Sequence, residues 1–357
     1  MAALDLGSDV VDLAAALCDI PSVSGEEAEI ADAIEVALRK LPHLSLDRDG
    51  NAIVARTMLG RDRRIAIAGH IDTVPITDNV PSRREIVDGV DTLVARGSVD
   101  MKGGVAVQLA LAAALGEPAA DVTWIFYDLE EVESARNGLG RLVRNRPDLL
   151  AADFAILGEP TNAVVEGGCN GTLRVGLRWH GVRAHSARPW VGQNAIHAVA
   201  PALAALADWA PEEVEVDGLV YRESLNAVGM RGGVAGNVIP DLAELTVNYR
   251  FAPSRSGEEA VERVRAMFPD AEVVVEDLAP GARPGLNAPI AREFLAAVGS
   301  APLPKYGWTD VARFSELGIP AVNYGPGDPL RAHTDDEAVA VEQIRTCEGR
   351  LRAWLAS

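Results

Sequence analysis

Arg64-Ile65-Ala66-Ile67-Ala68-Gly69-His70-Ile71-Asp72 decides the fold of this chain. The run behind Arg64 is apolar, short and partly β-branched, which reads as a strand buried on both faces, as in a parallel sheet covered by helices. It ends on an imidazole, with a carboxylate two residues later. Open α/β sheets bind ligands outside the carboxyl ends of their strands, so a His-x-Asp at such an exit marks where a site would lie.

The same arrangement recurs downstream. Val122-Thr123-Trp124-Ile125-Phe126-Tyr127 is a β-branched and aromatic strand, and it delivers Glu130-Glu131. Asp153-Phe154-Ala155-Ile156-Leu157 is another and delivers Glu159. Between them in type, Asp100-Met101-Lys102-Gly103-Gly104 opens an Ala/Leu/Val helix running to about Leu115. Upstream, Ser24-Gly25-Glu26-Glu27 reads as a capping box, with Ile30, Ile34 and Leu38 forming one apolar face behind it. Near the end, Pro320-Ala321-Val322-Asn323-Tyr324 resumes the strand pattern and is followed by His333. Strands alternating with helices predict an α/β catalytic domain with a mostly parallel sheet.

The middle of the chain breaks that rhythm. It predicts a strand (Leu173–Trp179), a helix (Asn194–Trp209), two strands (Ser224–Arg231 and Leu242–Phe251), a helix (Gly257–Phe268) and a last strand (Glu272–Val275). Ile196, Val199, Leu203 and Leu206 repeat at helical spacing, and Ser256 with Glu259 caps the second helix. The order β-α-β-β-α-β is that of a ferredoxin-like module. The expected organisation is therefore catalytic residues 1–172, an inserted α+β lid over 173–284, and catalytic residues 285–357.

Composition narrows the function classes. The 357 residues are 48% hydrophobic and 24% charged, ordinary for a globular protein and enough for two domains. A net charge of −19 argues against nucleic acid or an anionic membrane as partner. No apolar run approaches the ~20 residues of a membrane span. The start, Met1-Ala2-Ala3-Leu4-Asp5-Leu6, lacks a basic region and carries an acid, so it does not read as a signal peptide. Cys18, Cys169 and Cys347 are widely spaced and show no CxxC pairing, which points to a reducing cytoplasm.

Taken singly, the candidate ligands have ordinary explanations. His70-x-Asp72 could be a polar turn, Glu130-Glu131 a solvated surface, Asp100 an N-cap and His333 a loop residue. Their repeated position at strand exits favours a shared site. Two imidazoles, several carboxylates and no cysteine suit two divalent metals, zinc foremost, and hence metal-assisted hydrolysis.

Gly69-His70-Ile71-Asp72-Thr73-Val74-Pro75, Gly97-Ser98-Val99-Asp100-Met101-Lys102-Gly103-Gly104, Glu130-Glu131, Gly158-Glu159-Pro160-Thr161 and the late His333 together resemble one motif set. It is that of the co-catalytic dinuclear zinc family of aminoacylases, acetylornithine and succinyl-diaminopimelate deacylases and glutamate-releasing carboxypeptidases. The likeness spans nearly the whole chain in order. Gly307-Trp308-Thr309-Asp310-Val311-Ala312-Arg313-Phe314 and Gly325-Pro326-Gly327-Asp328-Pro329 look most like the actinobacterial-type desuccinylases of that family.

The resemblance implies roles. His70 and Glu159 would hold one zinc, Glu131 and His333 the other, and Asp100 would bridge both, with cobalt able to substitute. Glu130 would be the general base, and Asp72 would accept the second ring N–H of His70 and fix its tautomer. The family also implies a cis peptide at Asp100–Met101. His185, within Gly181-Val182-Arg183-Ala184-His185-Ser186, would stabilise the oxyanion, in dimeric members from the partner subunit. Asn237 and Arg250 match lid positions that bind the substrate carboxylate, which a planar guanidinium grips bidentately. His43, His180 and His197 match no motif; His197 reads as helix packing and the others as surface or sheet residues. One departure stands out. Relatives carry Gly-Thr-Ser-Asp, a small residue and Arg, where this chain has Trp308-Thr309-Asp310 with Arg313 further on.

These readings converge on a cytoplasmic homodimer, joined through the lid, that removes succinate from N-succinyl-L,L-diaminopimelate. N-acetylornithine deacetylation or dipeptide cleavage is the nearest alternative within the family. A non-catalytic metal-binding scaffold is the alternative from another class, against which the intact Glu130 argues.

Overall fold

A computed structural model describes residues 3–357; Met1 and Ala2, where the expected first segment begins, lie outside the described residues. The chain forms two compact units. One contains the residues up to Gly168, Pro284–Leu303 and Thr309–Ser357; the other contains Cys169–Arg283 and Pro304–Trp308.

The first unit is built on an eight-stranded sheet in the order Ser45–Asp49, Ala52–Arg56, Asp121–Tyr127, Arg64–His70, Phe154–Leu157, Ala321–Asn323, Glu166–Gly167, Leu303–Pro304. Its middle four strands are mutually parallel, with Arg64–His70 between Asp121–Tyr127 and Phe154–Leu157. The flanking pairings resolved on either side are antiparallel. Central strands need apolar residues on both faces, and every residue of Asp121–Tyr127 and Phe154–Leu157 is buried. The helix Lys102–Ala114 is buried almost all round and packs against Val10–Cys18 and Val341–Leu355. Phe294 stacks between Tyr324 and Trp354, at centroid distances of 5.3 and 4.8 Å. A fully buried aromatic of this kind is worth about 3–5 kcal/mol against alanine.

The capping box expected at Ser24 is not formed. The helix starts at Ala28, after Glu27, and has no side-chain cap. The Ser24 hydroxyl is instead drawn away to the Asp72 carboxylate, 2.7 Å distant. A small sheet that the sequence reading missed joins Arg83–Val87, Val90–Val94 and Ala338–Ala340. Its last strand anchors the segment that follows His333.

The second unit is a five-stranded antiparallel sheet in the order Glu212–Val216, Leu219–Gly232, Leu242–Phe251, Gly171–His180, Glu272–Ala279. Without its first strand, this is the ferredoxin-like arrangement. Leu173, Val175, Leu177, Leu245, Val247, Val261 and Val264 form its core. The Ser256 capping box is present in full on the helix Gly257–Met267. The helix expected over Asn194–Trp209 is broken into Ala195–Ala198 and Ala200–Ala207. Pro201 lies in the first turn of the second piece, where its missing N–H costs least. His197 is exposed rather than packed.

Candidate metal centre

Parallel strands that end level with one another bring their following residues together. Arg64–His70 and Asp121–Tyr127 pair with His70 opposite Tyr127, and Ile71 N–H continues the ladder to the Tyr127 carbonyl at 2.8 Å. The chain then turns sharply through Leu129, whose φ of 59° is unusual for a branched residue, and presents Glu130 and Glu131. Gly158 N–H donates to the Ala68 carbonyl at 2.9 Å, placing Glu159 at the exit of the next strand. The helix Lys102–Ala114, which begins two residues after Asp100, crosses these ends closely. A Cβ on Gly104 would lie 2.1 Å from the Gly158 carbonyl oxygen, so only glycine fits there. The Asp100–Met101 peptide is cis.

The ligand atoms of His70, Asp100 and Glu131 lie within 4.8 Å of one another. Asp100 divides its carboxylate between the two imidazoles: Oδ1 is 3.0 Å from His70 Nε2 and Oδ2 is 3.4 Å from His333 Nε2. Glu131 Oε1 is 2.9 Å from His333 Nε2. Glu159 is buried and acts electrostatically on Glu130 and Tyr127. His70 Nδ1 sits 3.0 Å from the Asp72 carbonyl oxygen, so its proton is held there and Nε2 is the nitrogen turned to Asp100.

Charge is unevenly shared within this cluster. Burial pulls the His70 imidazole down, yet Asp100 and Asp72 outweigh it and leave the group well above its usual range. Asp100 and Glu131 push His333 up to about 10. A carboxylate with each oxygen facing a different imidazole, with a further carboxylate beside the second, fits a pair of divalent ions. Burial pushes Glu130 well above the usual carboxylate range; His70 opposes this, while Glu131 and Glu159 add to it.

The supporting groups were mostly invisible in the sequence. The Asp72 carboxylate lies 3.5 Å from His70 Nδ1, further than its own carbonyl oxygen. Its main work is elsewhere: Oδ1 accepts Glu130 N–H at 3.0 Å, and Oδ2 accepts Glu131 N–H at 3.1 Å as well as the Ser24 hydroxyl. Asp310, buried, accepts from Asn137 Nδ2 at 2.9 Å, and Asn137 caps the helix Gly138–Asn145. Arg313 donates to Ser134 Oγ at 2.5 Å, so the turn Asp310–Arg313 holds the far end of the loop that bears the two glutamates. Glu337 is buried and accepts the Asp100 N–H at 3.0 Å. It sits at the end of an acidic run that looks solvated; the apolar Ala338-Val339-Ala340 just after it was the available signal.

Within the second unit, Ala184–His185 pairs with Val238–Ile239, and Ser186 N–H donates to the Asn237 carbonyl at 2.9 Å, so His185 and Asn237 are neighbours. His185 is exposed, and its Nδ1 accepts Ala187 N–H at 3.1 Å, leaving Nε2 as the protonated nitrogen. Arg250 is at the other end of Leu242–Phe251, paired across the sheet with Ser224 and Thr172. At ~3.4 Å per residue that strand sets Arg250 roughly 27 Å from Leu242, the end that follows Asn237 and Val238–Ile239.

Comparison with known proteins agrees with this geometry. Residues 66–356 match the model of "Peptidase family M20/M25/M40". The chain belongs to that family. The M20 chain is 54% identical over 355 residues to a Mycobacterium tuberculosis protein provisionally named as the succinyl-diaminopimelate desuccinylase DapE, covering 99% of each. It is 48% identical to the succinyl-diaminopimelate desuccinylase of Corynebacterium glutamicum, covering 99% of this chain and 98% of that one. Its fold matches an M20 family metallo-carboxypeptidase from Sulfolobus solfataricus with a TM-score of 0.77 at 17% identity, over 98% and 99% of the two chains. M20 proteins are metal-dependent hydrolases with a dinuclear centre, and the His70, Asp100 and Glu131 cluster lies inside the matched region.

Proposed function

We propose that this chain hydrolyses N-succinyl-L,L-diaminopimelate to succinate and L,L-diaminopimelate, in lysine and diaminopimelate biosynthesis. The near full-length identity to the mycobacterial and corynebacterial desuccinylases carries the choice of substrate. The divided carboxylate of Asp100 carries the chemistry.

In this reading His70 and Glu159 would hold one zinc ion, Glu131 and His333 the second, and Asp100 would serve both; cobalt could replace zinc at these N/O ligands. When bound, the pair of ions polarises the amide carbonyl and makes water acidic enough to attack at neutral pH. Glu130 accepts the proton of that water at a carboxylate oxygen and passes it to the leaving amine. A carboxylate within reach of the water and of the leaving nitrogen can both take and return that proton. Asp72 holds the Glu130 and Glu131 backbone in register. His185, with its proton on Nε2, offers a donor to the developing oxyanion.

The placing of Arg250 at one end of Leu242–Phe251, with Asn237 and His185 on the segments before its other end, supports a substrate site that draws on two copies of the chain. So does an open sheet edge. Leu219–Gly232 is paired by Glu212–Val216 only as far as Glu223, and beyond it Val228 and Met230 are 59% and 47% exposed. Unpaired apolar edges are suited to strand pairing with another copy, which makes this edge the homodimer contact we propose. Arg250 then anchors the succinyl carboxylate. The proposed location is the cytoplasm, consistent with three buried cysteines that form no disulfide; among the described residues no helix is long and apolar enough to cross a membrane. Zinc-loaded protein assayed against N-succinyl-L,L-diaminopimelate and N-acetylornithine tests the reading. A large preference for the succinyl substrate is expected, and preference for N-acetylornithine overturns it.

A further inference from the structure

One buried ion pair touches several of the segments that carry the proposed ligands. Arg96 and Glu337 are 2% and 1% exposed and meet at 2.8 Å, Nη1 to Oε2. Arg96 Nε donates to the Pro75 carbonyl at 3.1 Å, on the chain that continues from His70 and Asp72. Its Nη1 also donates to the carbonyl of Thr334, the residue after His333, at 3.0 Å. The second oxygen of Glu337, Oε1, accepts the backbone N–H of Val99 at 2.9 Å and of Asp100 at 3.0 Å. The Glu337 carbonyl accepts Ala95 N–H at 3.1 Å, closing the junction with the small sheet. Two side chains separated by 241 residues thus tie Asp100 to His333.

A buried ion pair adds little net stability over apolar packing, because desolvating two charges offsets most of their attraction. What this pair supplies is position. His70 needs little help, since it ends a central strand and its ring is fixed by Asp72. His333 is different: it lies in irregular chain at a φ of 66° with its side chain half exposed. Its neighbour Thr334 is held by the Arg96 guanidinium.

We propose that Arg96 and Glu337 are positioning residues that set the spacing between Asp100 and His333, and so govern the affinity of the second cation position more than the first. This rests on the ligand assignment proposed above. The first position, His70 with Glu159, is built on strand exits and meets the pair only through the shared Asp100 and, five residues beyond His70, through Pro75. The second depends on a loop histidine and a shared carboxylate that the pair locks together.

Calorimetric titration of metal-free, full-length protein with zinc tests this, with cobalt absorption as a second signal of each binding step. Glu337→Gln is nearly isosteric: it keeps one oxygen for the Val99 and Asp100 amides but turns an NH₂ toward the guanidinium. Arg96→Lys keeps the charge and loses the fork that reaches Pro75 and Thr334. With far-UV circular dichroism unchanged, the first zinc binds within about threefold of wild type and the second on the order of 10–100-fold more weakly, the usual effect of losing an outer-shell partner. Equal weakening of both steps, or of neither, overturns the proposal. Should Glu337→Gln fail to fold, Arg96→Lys decides on the same criterion. A wild type that takes up fewer than two zinc ions overturns the metal assignment itself, and this inference with it.

Discussion

Replacing Asp72 with asparagine removes one carboxylate oxygen from a group that holds Glu130 and Glu131 by their backbone. Oδ1 accepts Glu130 N–H, and Oδ2 accepts Glu131 N–H and the Ser24 hydroxyl. Asparagine keeps one oxygen. Placed at Oδ1 it preserves the Glu130 bond, and its NH₂ then faces Ser24, whose hydroxyl can rotate to accept, and Glu131 N–H, which cannot. One charge-assisted hydrogen bond is lost, worth ~1.5–3 kcal/mol, and two donors are left opposed. If that cost falls on the transition-state geometry, kcat/KM drops roughly ten- to a hundredfold. The loss should lie mainly in kcat, with weaker metal uptake because Glu131 is the residue released. Steady-state kinetics at saturating zinc, with metal analysis of the dialysed protein, reads both. Activity within about threefold of wild type would refute the clamp.

The adjacent glutamates should separate cleanly. Glu130→Gln keeps near-normal zinc and loses about 10²–10⁴ in kcat, whereas Glu131→Gln loses zinc; equal zinc loss in the two sinks the assignment. Mixing His185→Ala with Glu130→Gln protein, after subunit exchange, should restore part of the activity, since each hybrid carries one intact set; a fully exchanged mixture that stays inactive argues against action across a dimer. Arg250→Ala should lower kcat/KM for the succinyl substrate about a hundredfold, the equivalent of ~3 kcal/mol, with zinc content unchanged, and a retained succinyl preference rules Arg250 out. Away from the site, Asp121 accepts from Thr57, Leu59, Gly60 and Arg61, and although burial raises it, these bonds hold its carboxyl below the usual range. A depressed carboxyl stabilises the fold above its unfolded pKa and loses that contribution as pH falls through the folded value. Asp121→Asn should therefore cost ~1–3 kcal/mol at neutral pH and progressively less below pH ~4, measured by denaturant unfolding; a pH-independent cost contradicts the linkage.

How far the sequence could be read depended on whether a signal was local. The strands before His70, Glu130 and Glu159 are apolar runs with polar exits, and their pattern survives into the structure because the buried sheet demands it. The Ser256 capping box was legible for the same reason: its partners are three residues apart. Ser24 shows the limit. The same local motif was overridden by a tertiary acceptor, Asp72, that no spacing announces. Glu337 and Asn137 were missed likewise, and Asp310 was seen only as part of a loop motif, because their partners lie far off in sequence. The strand Glu212–Val216 escaped because Glu212, Glu213 and Glu215 read as solvated charge, although on an edge strand such residues face water without penalty.

The membership of Pro304–Trp308 in the second unit has a practical consequence for anyone wishing to transplant or delete that unit. It is not a cassette with one entry and one exit. Asn170 N–H donates to the Lys305 carbonyl, and the Trp308 indole donates to the Pro280 carbonyl at 3.0 Å, so excising Cys169–Arg283 alone strands a short peptide whose partners have gone. A minimal version of the first unit would need both cuts repaired and Trp308 replaced by a residue that asks for no acceptor. A chimaera between relatives would have to exchange the two segments together.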